Sequence, residues 1–190
     1  ADVITAGGRL VIDAVTGVGS GNALETTVAS VDIDNATSGN IEIAETNAIT
    51  VLKAVQGTAG NIGIAAGGTI TVANGTTNNA ITAAGSGTIT LSTSSGGDVL
   101  INSSIESVTG GVVVAANHVL TIANGAVIDA GSGTIALQAQ ENITLGQVTT
   151  TNTGTTAVTL TSAVGRIVDG GDTGGADVIA GGRLVIDAVT

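Results

Sequence analysis

Aliphatic residues along this chain come in short alternating runs, never in long stripes. In Val31-Asp32-Ile33-Asp34 each aliphatic side chain is followed by a carboxylate, the period-two pattern of a strand with one dry and one wet face. A phrase of the form small-x-aliphatic-x-aliphatic recurs at Gly39-Asn-Ile-Glu-Ile43, Gly60-Asn-Ile-Gly-Ile64, Gly87-Thr-Ile-Thr-Leu91 and Gly133-Thr-Ile-Ala-Leu137. Shorter versions are Gly111-Val-Val-Val114 and Ala157-Val-Thr-Leu160. The first aliphatics of these phrases, Ile41, Ile62, Ile89, Val112, Ile135 and Val158, recur at nearly even intervals, the last four in strict step. Gly-Gly, Asn-Gly, Gly-Ser-Gly and Ser-Gly-Asn turns separate the runs, and no apolar stripe at 3.6 spacing survives them. The pattern predicts strands of three to five residues and no helix.

A second, larger period encloses the first. Ala1–Thr16 recurs as Ala176–Thr190, with one residue near Thr5 missing from the second copy, so Leu10 and Leu184 mark the same place in successive copies. Adding those two leucines to the series gives two further intervals, one at each end, of which the first is the longest of all. One repeat then reads as seven coils of about 25 residues each, within the range of solenoid coils. Gly60–Ile101 also aligns with Gly110–Leu145, leaving Thr76–Asn79 as an insertion expected in a surface loop.

A single coil cannot bury its apolar face, but coils stacked in parallel make a continuous aliphatic column. Meander and sandwich topologies have no fixed coil period. The expected fold is all-β, a right-handed parallel β-helix (β-solenoid) with about seven coils per 174-residue repeat, its hand taken from the general rule for parallel connections. Residues 1–190 form one solenoid segment, in which 176–190 begins the next copy. Ile62, Ile89, Val112, Ile135 and Val158 are expected to stack in one inward column.

Composition sharpens the expectation. Phe, Trp, Tyr, Met, Cys and Pro are absent, yet 43% of residues are hydrophobic and 30 are Gly. A narrow column of Ile, Val, Leu and Ala needs no rings, whereas an irregular globular core normally uses them. The aliphatic density also sets the chain apart from disordered segments. A net charge of −11, with neither a basic stripe nor stacking aromatics, excludes nucleic acid as a partner. No apolar run reaches the length of a membrane helix, so no membrane insertion is expected. With no initiator Met and no signal peptide, the chain reads as an excerpt of a longer array.

The Gly-Asn-Ile-x-Ile, Gly-Thr-Ile-Thr-Leu and Gly-Gly-Arg-Leu-Val-Ile phrases resemble the passenger repeats of filamentous-haemagglutinin-type adhesins and related giant bacterial surface proteins. The resemblance covers essentially the whole chain. It implies secretion across the outer membrane, a β-helical shaft, and a role in adhesion or in cell-surface fibres. The chain departs from that family in having no aromatics and no distinctive cap or tip domain.

Few residues offer chemistry. His118 is the single histidine; aligned with Gly68, it is expected in an exposed, tolerant turn without a partner for acid–base work. Pectin-lyase-like enzymes share the fold class but cluster Asp with Lys or Arg on one face; here Lys53 stands alone, and Arg9 and Arg183 are one repeat position seen twice. The acidic turn Asp169–Asp177 is oxygen-rich, and Gly174-Gly-Ala-Asp-Val-Ile179 is similar to the Gly-Gly-x-Gly-x-Asp nonapeptide of calcium-binding repeats, one residue short; the turn is expected to be a solvated Gly-rich loop. Asn40, Asn61 and Asn142 before strands, with Asn74 and Asn124 after them, are candidates for stacked ladders. No catalytic, cofactor or metal residue is assigned. The expected function is a structural, non-catalytic rod module, the shaft or spacer of an extracellular or cell-surface repeat protein. Its expected partners are neighbouring repeats of the same array, end to end. The alternative is a self-assembling extracellular filament or sheath subunit with homotypic contacts.

Overall fold

The computed structural model describes residues 1–5, 7–73, 79–171 and 174–189. They form an all-β, parallel solenoid of about eight turns, with no helix among the described residues. The first three turns each carry two strands: β1 (Val3–Ile4) and β2 (Arg9–Ala14), β3 (Leu24–Thr27) and β4 (Ser30–Asn35), β5 (Ile41–Glu45) and β6 (Ile49–Gln56). Each of the next five turns carries three. These are β7 (Ile62–Ala66), β8 (Ile70–Val72) and β9 (Asn79–Ala83); β10 (Ile89–Thr93), β11 (Val99–Ile101) and β12 (Ser104–Ser107); and β13 (Val112–Ala116), β14 (Leu120–Ile122) and β15 (Val127–Asp129). They continue with β16 (Ile135–Ala139), β17 (Ile143–Leu145) and β18 (Gln147–Thr150), then β19 (Val158–Ser162), β20 (Ile167–Asp169) and β21 (Val178–Ala180). Strand β22 (Leu184–Ala188) opens a further turn.

Sheet A stacks β1, β3, β5, β7, β10, β13, β16, β19 and β22. Sheet B stacks the remaining strands and forks at β6. Ile49, Thr50 and Val51 at the start of β6 pair with β8, whereas Ala54, Val55 and Gln56 at its end pair with β9. One long strand below the fork thus becomes two short strands above it.

The aliphatic column is continuous. Ile41, Ile62, Ile89, Val112, Ile135 and Val158 follow one another in register through sheet A, each 0–1% exposed. A second column of Ile43, Ile64, Leu91, Val114, Leu137 and Leu160 runs beside it, also buried. In β4, Val31 and Ile33 are buried while Asp32 and Asp34 face outward, as the alternation requires.

Two features differ from the spacing argument. The span from Leu10 to Ile41 holds more than one turn, because β3 lies in sheet A and β4 in sheet B between them. Leu10 therefore stands in sheet B beside Val31, while Leu184 stands in sheet A beside Val158. Spacing alone cannot separate one long turn from a short turn plus its neighbour. The second feature is the corner where the two branches of sheet B meet. The connections 73–78 and 170–177 both join strands across it, whereas Gly146 alone joins β17 to β18. Of the insertion Thr76–Asn79, Asn79 opens β9, and the rest lies outside the described residues.

Candidate functional site

Polar side chains in a parallel solenoid meet their counterparts one turn above and below, so every candidate belongs to a stack. The turn between sheet A and the first branch of sheet B holds the one histidine. His118 lies between β13 and β14; Asp98, just before β11, is one turn below, and Glu141, just before β17, one turn above. His118 Nδ1 lies 2.7 Å from Asp98 Oδ1, and Nε2 lies 3.3 Å from Glu141 Oε2. The Val119 amide also donates to Asp98 Oδ1, at 3.2 Å. The hydrogen bond to Asp98, reinforced by the charge of Glu141, raises the His118 pKa above its ordinary 6.5. His118 is half-exposed, as expected of a turn, but it is not partnerless. Its partners stand one coil before and one coil after it in the chain, so the coil period itself carried the signal that would have found them. Both ring nitrogens face carboxylates, so the arrangement can hold a proton and link three turns.

Stacking also places two of the four lysine and arginine side chains. Arg9 pairs with Asp32 and Lys53 with Asp34, each bridging adjacent strands on the outer face of sheet B. Partly exposed pairs of this kind add little stability. Arg166 and Arg183 make no ion pair among the described residues, although Arg183 has the same place in the repeat as Arg9.

The asparagine ladder is present. The Asn61 amide donates to Asn40 Oδ1 at 3.0 Å, the Thr88 amide to Asn61 Oδ1 at 2.9 Å, and the Arg166 amide to Asn142 Oδ1 at 2.9 Å. Each carboxamide oxygen thus satisfies a backbone donor of the next turn. Asn74 lies outside the described residues, and Asn124 is exposed in the turn after β14.

Buried polar groups do similar work inside the corners. Asn35 Nδ2 donates to Gln56 Oε1, and Gln56 Nε2 donates to the carbonyls of Thr37 at 2.9 Å and Ala59 at 2.8 Å. Glu45, 4% exposed, accepts from Thr26 Oγ1 at 2.7 Å and from the Val28 amide at 3.0 Å. Sequence reading missed both, since each is an ordinary polar residue at the end of a strand.

In the acidic turn, Asp169 accepts from the Gly171 amide at 2.7 Å, closing its own loop. Asp172 and Thr173 lie outside the described residues. Among the described residues no group of three or more His, Asp or Glu side chains is arranged to hold a metal ion. Nor is any helix among them long and apolar enough to cross a membrane. A groove of about 590 Å³ runs beside the histidine corner and is lined by Glu141, Asn142, Thr144, Gly165, Arg166 and Val189, among others. It offers one carboxylate, one carboxamide, one guanidinium and one hydroxyl.

Comparison with known proteins finds no family model, no curated protein and no solved structure that matches this chain.

Proposed function

We propose that this chain is a structural, non-catalytic rod module of a giant extracellular or cell-surface repeat protein, serving as the shaft or spacer of an adhesin. The observation that supports the reading is the uninterrupted aliphatic column through sheet A, in which the same residue class stacks turn after turn in register. Such a column is indefinitely extensible, and each added turn buries the face of the one before. The polar side chains described above link turns to one another, which is what a stiff rod needs. A net charge of −11 disfavours lateral sticking of parallel rods. Resemblance to filamentous-haemagglutinin-type repeats points to the cell surface as the setting.

The test has two parts. Arrays of one, two and four copies, imaged singly, are expected to lengthen by about 38 Å per copy, eight turns at about 4.8 Å. Removing copies from the parent protein is expected to shorten its reach while leaving its affinity for any target unchanged. Loss of target affinity on removal of this repeat would make it a binding module instead.

A self-assembling filament or sheath is the second reading. In that reading the two core columns, which Leu184 and Ile186 continue beside Val158 and Leu160, are extended by separate chains stacking end to end. Concentration-dependent growth in light scattering distinguishes it from a solitary rod.

A further inference from the structure

One segment occurs twice in the chain and takes two different places. Arg9–Ala14 and Arg183–Ala188 are the same six residues. At β2 they lie in sheet B, paired along their whole length with Ser30–Asn35 of β4, with Leu10 and Ile12 turned into the core beside Val31 and Ile33 and Arg9 on Asp32. At β22 they lie in sheet A beside β19, with Arg183 unpaired among the described residues and Leu184 and Ile186 wet. The preceding strands differ likewise: Val3–Ile4 is in sheet A, and its repeat at Val178–Ile179 is in sheet B. The two placements are half a turn out of phase. A sequence that repeats in tandem must make a whole number of turns per repeat, or its aliphatic columns would change sheets from one copy to the next.

Resting on the reading of the chain as an end-to-end array, we propose that the Ala176–Val189 segment of one copy takes the β1–β2 seat on β3 and β4 of a second copy of this chain, displacing that copy's own β1 and β2 from it. Val178 then lies beside Thr26, Leu184 beside Val31 and Ile186 beside Ile33, while Arg183 reaches Asp32. The repeat then closes at eight turns.

Two independent observations favour that seat. The first is charge: the seat, once β2 and its Arg9 leave it, supplies Asp32 to an arginine that has no ion-pair partner among the described residues. The second is Thr5. Its Oγ1 is the buried side-chain polar atom without a hydrogen-bond partner among the described residues, and Thr5 is the residue the second copy lacks. Placing Ala176–Val189 in the seat removes the orphaned hydroxyl. The shorter link also spans the corner: three residues separate Ile179 from Arg183, and the equivalent crossing between Thr27 and Ser30 uses two.

The chain has no cysteine, so disulfide trapping has no background. Asp187 repeats Asp13, which pairs with Asp34. The double variant Asp187→Cys/Asp34→Cys is expected to give, on oxidation, a ladder of cross-linked dimers and higher oligomers. Asp187→Cys/Asp2→Cys, which would trap sheet A of one copy stacked on sheet A of the next, is expected to give none. Both variants change outward-facing positions, and circular dichroism checks that they fold. A ladder from the Asp2 pair alone would overturn the seat while leaving end-to-end assembly standing. No ladder from either folded variant would overturn the seat and the end-to-end joining of copies together.

Discussion

The glycine two places before each of Ile62, Ile89, Val112 and Ile135 has a steric reason. Gly60, Gly87, Gly110 and Gly133 pass so close to the turn below that a Cβ on each would strike the carbonyl oxygen of Gly39, Gly60, Gly87 and Gly110 in turn. The obstacle is backbone, which cannot swing aside as a flexible side chain would. Gly133→Ala is therefore expected to destabilise the fold by about 2–3 kcal/mol, the upper range for overpacking, measured by urea or thermal denaturation. His118 makes a prediction of opposite character, small and dependent on pH. An imidazolium has two N–H donors for Asp98 and Glu141, whereas the neutral ring has one and turns a lone pair toward the other carboxylate. Because the folded pKa is raised above 6.5, the stabilisation is fully present below that value and is lost as pH rises through the higher folded value. Wild type is expected to melt above His118→Gln at about pH 6, with the gap closing toward about pH 9. A gap independent of pH would mean that His118 acts through packing alone.

At the level of strands, alternation was legible, and for a local reason. In a strand of one sheet, whether a side chain faces in or out depends only on its parity, so Ile135 could be assigned to the core from sequence; it is 1% exposed between Val112 and Val158. Ile135→Asp buries a carboxylate with no cation beside it and is expected to abolish the local fold. Each turn contacts only its neighbours, so the loss should show in hydrogen exchange as deprotection centred on β13, β16 and β19, with β2 and β4 nearly unaffected. Uniform deprotection along the chain would show that the solenoid unfolds as one unit. The fork of sheet B at β6 was not legible in the same way. Ile49–Gln56 is a single strand whose alternation breaks once, at Leu52 and Lys53, where its register against β4 shifts; that break marks a bulge but does not name β8 and β9 as the separate partners of its two halves.

For the whole molecule, the prediction is one of shape and spectrum. Far-ultraviolet circular dichroism should show β-structure, and a helical content above about a fifth, approaching that of ordinary domains, would contradict the fold. In small-angle scattering the chain should be elongated in proportion to its turns. Its maximum dimension should increase by about 38 Å when a second copy is fused in frame, if the repeat closes at eight turns, against about 34 Å for seven. The two values differ by one inter-strand spacing, so the measurement bears directly on where Ala176–Val189 sits.

The strand class, the inward column of Ile and Val and the absence of helix could be read from the sequence because each depends on neighbours within a few residues or on a period that repeats them. The pairing partners depend on something else. Arg-Leu-Val-Ile-Asp-Ala has the same alternation and the same strand propensity at 9–14 and at 183–188, yet it lies in sheet B once and in sheet A once. Which sheet it joins is set by the strand edge that its neighbours present, β4 in one case and β19 in the other. His118 likewise acquires Asp98 and Glu141 only when three turns stack in register. Parity is a property of the local chain, whereas adjacency across turns is a property of the closed coil, since the length of each corner decides which residues lie one strand spacing, about 4.8 Å, apart.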